Sequence, residues 1–81
     1  MFSREFTLAH HSRRFTVAAS AAGGWELRVT EDRAVVRQHS YTDWHRLERA
    51  MHAIEREMSQ LISQGWRVSE GPTDVAYSTK R

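Results

Sequence analysis

Two rhythms of apolar and polar positions divide this chain. From Asp43 to Gln64 the apolar residues Trp44, Leu47, Met51, Ile54, Met58, Leu61 and Ile62 recur at intervals of three and four. That spacing puts them on one side of an α-helix, a side that has to be covered. Before it the period is two. Trp25, Leu27 and Val29 alternate with Glu26, Arg28 and Thr30, and Phe15, Val17 and Ala19 alternate with Thr16 and Ala18. This is the pattern of half-buried strands. Phe6 and Leu8 predict a further strand over about Glu5 to His10, and Ala34 to Ser40 reads as the hairpin partner of Trp25 to Thr30.

Breakers set the boundaries. The basic stretch His10 to Arg14 and the Ala21-Ala22-Gly23-Gly24 joint separate the early strands, glycine allowing turns that other residues resist. With Glu31 and Asp32 central in the next turn, Val29 faces Ala34, Leu27 faces Val36, Trp25 faces Gln38, and Glu26 meets Arg37 on the outer surface; a longer loop instead brings Val35 inward. Ser40 or Thr42 is the expected helix cap and Gly65 the expected stop, with Trp66 folding back on Leu61 or Ile62. The reading is an α+β domain over residues 1–67: a three- or four-stranded antiparallel sheet followed by one long amphipathic helix packed on one sheet face. Residues 68–81, broken by Gly71 and Pro72, read as a flexible tail. Phe6, Phe15, Val17, Trp25, Leu27, Val29 and Val36 supply the sheet side of the core, and the helix stripe supplies the other side or a partner-helix seam.

Length and composition narrow the function classes. Eighty-one residues suffice for one domain, and the hydrophobic fraction of 40% suffices for a core. There is no cysteine, which excludes disulfides, thiolate metal sites and thiol nucleophiles. No apolar run approaches the roughly 20 residues needed to cross a bilayer, and Met1 to Ser20 lacks a secretory apolar segment. The expectation is therefore a cytoplasmic protein with no membrane partner and no cofactor. A thin core and open sheet edges predict association as a homodimer.

The candidate chemistry is sparse. His45, Glu48 and His52 share one side of the helix but lack the spacing of a zinc-protease helix, and His10 and His11 face opposite ways along a strand, so no metal site is assigned. Ser12 and Ser20 have no nucleophile elbow, and Gly23-Gly24 is no phosphate loop. No catalytic residue follows. Among twelve basic residues only Lys80 is a lysine, and the net charge is +2. Arg28, Arg33 and Arg37, assisted by Arg13 and Arg14, are the candidate nucleic-acid contacts, since guanidinium groups fork phosphates.

The order of four strands and a helix over about residues 5 to 66 resembles that of Whirly-like single-stranded DNA-binding modules, without a shared residue motif. The resemblance implies dimers that bind nucleic acid on the sheet surface. The leading expectation remains a small non-enzymatic structural or protein-interaction module, with binding of single-stranded DNA or RNA as the alternative.

Overall fold

The computed structural model describes residues 2–69. Its elements are β1 (Phe2–Leu8), β2 (His11–Ala19), β3 (Trp25–Glu31), β4 (Ala34–Tyr41), α1 (Trp44–Ser63) and β5 (Arg67–Ser69). All five strands form one antiparallel sheet in the order β4-β3-β2-β1-β5. The first four strands are a meander; α1 then carries the chain back across one face, and β5 pairs with β1.

Five strands correct the expected three or four. The extra strand is three residues long, too short to show a period, and is created by the way the helix ends. Gly65 adopts φ 103°, its N–H donates to the Ile62 carbonyl at 3.1 Å, and the Trp66 N–H donates to the Leu61 carbonyl at 3.0 Å. This pair of bonds closes a glycine-terminated helix and reverses the chain. Arg67, Val68 and Ser69 thereby fall opposite Thr7, Phe6 and Glu5. The sheet thus takes in Val68 and Ser69; the rest of the expected tail, 70–81, lies outside the described residues.

The β3–β4 register also departs from expectation. The turn is centred on Asp32 and Arg33, both with positive φ (49° and 73°), so that Glu31 pairs with Ala34. A bulge follows: Thr30 pairs with Val35 and Val29 with Arg37, leaving Val36 as the extra residue. Val36 is half exposed instead of facing Leu27, whose partner is His39. The turn is held from a distance. The Asp32 N–H donates to the Ser12 carbonyl, and the Ser12 N–H donates to Asp32 Oδ1, each at 2.9 Å.

One face of the sheet and one stripe of α1 make the core: Phe6, Phe15, Val17, Leu27 and Val29 with Leu47, Ile54 and Leu61, all buried. Burying each such side chain stabilises the fold by about 1.5–3 kcal/mol. Phe6 and Phe15 meet edge to face with ring centroids 6.0 Å apart. Met51, Met58, Trp25, Tyr41 and Trp66 pack partly buried around this centre. Asp43, not Ser40 or Thr42, caps the helix by accepting from the His45 N–H at 3.0 Å; Ser40 is still in β4. No described helix is long and apolar enough to cross a membrane.

Candidate functional site

The five candidate arginines do not share a face. Alternation along β2 and β3 puts Arg14 and Arg28 on the side away from the helix, where Arg14 bonds Glu5 and Arg28 bonds Glu26, each at 3.0 Å. Arg33 sits at the tip of the Asp32-Arg33 turn and makes no ion pair among the described residues. Arg13 and Arg37 point to the helix side. Arg13 lies 2.6 Å from Glu31 and 4.0 Å from Glu57, with its guanidinium 5.4 Å from the Trp66 ring centroid; Arg37 reaches Glu57 at 2.6 Å. Alternation along β2 separates Arg13 from Arg14, and the bulge at Val36 advances β4 by one residue and turns Arg37 over to Glu57.

The outer face is polar. Near the β3–β4 turn, Glu5, Ser12, Arg14, Thr30 and Arg33 line a dish with two guanidinium groups, two hydroxyls and the Glu5 carboxylate, which pairs with Arg14. The strand aromatics Phe2, Phe6, Phe15 and Trp25 lie on the opposite, helix-facing side by register, so no described strand aromatic offers this face a stacking surface.

The apolar stripe of α1 is used unevenly. Leu47, Ile54 and Leu61 are buried, Met51 and Met58 are partly buried, Trp44 is 48% exposed and Ile62 54% exposed. Trp44 lies edge-on to Trp25, with centroids 5.3 Å apart. The helix therefore starts over β3 and ends towards β1 and β5, and such a course leaves two corners of the sheet uncovered. Charge fills one corner: the Arg13, Glu31, Arg37 and Glu57 network. The other is a small apolar recess of about 20 Å³ walled by Phe2, Phe15, Val17 and Leu27 from the sheet and by Met51, Ile54 and Met58 from the helix. Its polar lining residues are Thr16 and Glu55. Met51, Glu55, Met58 and Ile62, spaced four, three and four, form the helix edge of this flank, and half-exposed Leu8 and Val68 extend the apolar surface.

The edge strand β4 is a less suitable docking surface. Its residues Ala34 to Ser40 are exposed, including Val35 and Val36, but the bulge and the helix-facing charge of Arg37 are devices that keep an edge from adding strands.

One polar cluster was hidden in the sequence. His11 Nδ1 lies 3.2 Å from Asp32 Oδ2, and Ser12 is its neighbour. Sequence distance conceals it, since only the β2–β3 pairing brings Asp32 to Ser12. The three do not form a nucleophile relay: residues 11 and 12 send their side chains to opposite faces, and Ser12 meets Asp32 through its backbone N–H. The hydrogen bond from Ser12, then that from His11, holds the Asp32 carboxyl below the usual carboxylate range. His45, Glu48 and His52 are exposed on α1, and no group of three metal-ligating side chains assembles among the described residues.

Fold and surface together define a helix-backed, five-stranded antiparallel domain with an apolar recess on one flank. No protein-family model, curated protein or solved structure matches the chain.

Proposed function

We propose that this chain is a small non-enzymatic protein-interaction module that works in the cytoplasm as a homodimer, using the flank of α1 that borders β1 and β5. The observation that carries the reading is the recess between Phe2, Met51 and Met58, continued by exposed Ile62. An apolar patch rimmed by polar residues is the usual mark of a contact surface. A standard interface needs about 800 Å² from each partner, roughly an eighth of the 6116 Å² surface. Sedimentation equilibrium over a wide concentration range tests the reading. The mass should rise from the 9.4 kDa of one chain towards twice that value, and Ile62→Arg should hold it low. A constant single-chain mass would overturn it.

A second reading, binding of single-stranded DNA or RNA, is favoured by the dish that gathers Arg14, Arg33, Ser12 and Thr30 on the outer face. On that face Arg14 and Arg28 pair with Glu5 and Glu26, Arg33 has no ion-pair partner among the described residues, and Arg13 and Arg37 lie on the other side. Titration of labelled oligonucleotides at two salt concentrations separates this reading from the first. Binding that weakens with salt and with Arg14→Ala or Arg33→Ala supports it, and no binding at low salt rejects it.

A further inference from the structure

We infer that the occupant of the recess is a second copy of this chain, docked about a two-fold axis so that Glu55 of each copy meets Arg4 of the other. The inference rests on the interaction-module reading and specifies its contact. Glu55 lines the recess from the helix side. Arg4 follows two residues after Phe2 on the same face of β1, with its guanidinium 5.8 Å from the centroid of the Phe2 ring, which is itself part of the wall. An anion thus lines the recess on the helix side and a cation stands behind its Phe2 wall on the sheet side, both exposed, and neither has an ion-pair partner among the described residues.

A two-fold contact uses one patch twice: if position i touches j, then j touches i. A patch with a positive and a negative group on opposite sides of its opening complements itself under that rotation. Two ion pairs form where each copy alone has none. The apolar groups follow the same symmetry. With the axis over the recess, midway between Glu55 and Arg4, the helices run antiparallel on opposite sides of it, and the apolar walls of the two recesses, with Met51 and Met58 at their helix edges, close over each other. An unrelated apolar partner would gain nothing from a matched pair of opposite charges, so the paired rim favours self-recognition.

The test exchanges the charges in the full chain. Arg4→Glu and Glu55→Arg change exposed positions, and circular dichroism melting checks that each variant folds. Each single variant should weaken the dimer by about tenfold or more, because like charges then face each other twice. The double variant R4E/E55R should restore the dimer. An equimolar mixture of the two single variants should form heterodimers, in which both opposite-charge contacts return; native mass spectrometry reads these by mass. Wild-type association that neither single variant weakens would overturn the inference and leave self-association standing with another interface. Wild-type chain that stays monomeric overturns both. A variant ending at Ser69 that dimerises where the full chain does not would make residues 70–81 the occupant, and would overturn the inference in that way.

Discussion

Arg37 and Glu57 join β4 to α1, Nη2 donating to Oε2 at 2.6 Å across twenty residues of sequence. Glu57 also stands 4.0 Å from Arg13, so one carboxylate serves guanidinium groups from two strands. Both side chains of the Arg37–Glu57 pair keep partial contact with water, and screening limits the interaction. A double-mutant cycle of Arg37→Ala and Glu57→Ala, read by urea unfolding, should give a coupling of about 0.5–1 kcal/mol that falls as salt is added. Glu57→Ala should cost slightly more than Arg37→Ala, because it also removes the second, more distant carboxylate facing Arg13, whose nearer partner is Glu31.

The same pair shows where sequence reasoning reached its limit. The helix was legible because both of its determinants are local: a three-four apolar period and a glycine stop at Gly65. The alternation of Trp25, Leu27 and Val29 marked β3 in the same way. The β3–β4 register was not legible, because neither Asp32 nor Arg33 is glycine, yet both adopt left-handed backbone. The tie from Asp32 to Ser12, twenty residues away, holds that turn, and no local pattern records it. Once the turn and bulge shift the strand, Val36 leaves the core and Arg37 leaves the outer face. Three-residue β5 was hidden for a different reason: its existence depends on an open edge of β1. The recess was only half visible, through Met51 and Met58; Phe2 and Val17 complete it from distant strands.

Leu47, in the first turn of α1, is fully buried. Leu47→Ala should lower unfolding free energy by about 2–5 kcal/mol, combining lost burial with a cavity. Trp44 sits on the same stripe but half exposed, and Trp44→Ala should cost clearly less. Chemical denaturation of the two variants checks the ordering.

Gly23 and Gly24 are not equivalent. Both have positive φ, but a Cβ on Gly24 would lie 2.3 Å from the Tyr41 carbonyl oxygen, whereas one on Gly23 meets nothing within 4 Å. Gly23→Ala should cost about 1–3 kcal/mol through backbone strain alone. Gly24→Ala should cost more, since the backbone of β4 must also move. Thermal melts of the two variants give the comparison.

Asp32 makes stability depend on pH. Its folded pKa lies below the ordinary 3.8, lowered first by the Ser12 N–H and then by His11. A depressed carboxylate contributes stability that is present above the unfolded value and lost as pH falls through the folded one. Asp32→Ala should therefore melt below wild type at neutral pH, and the gap should narrow as pH drops below 3.8. A gap that stays constant through that range would count against this linkage.

The strand order implies a sequence of events in folding. Every pairing within β1 to β4 joins neighbours in the chain, so those contacts close short loops and form early. The β1–β5 pairing is different, since it brings Ser69 to Glu5 and closes a loop around nearly the whole domain. The entropy of that closure is recovered only after the helix has docked and Gly65 has turned the chain. β5 should be the last strand to pair and the first to open, its amides exchanging with solvent deuterium ahead of those in β2 and β3.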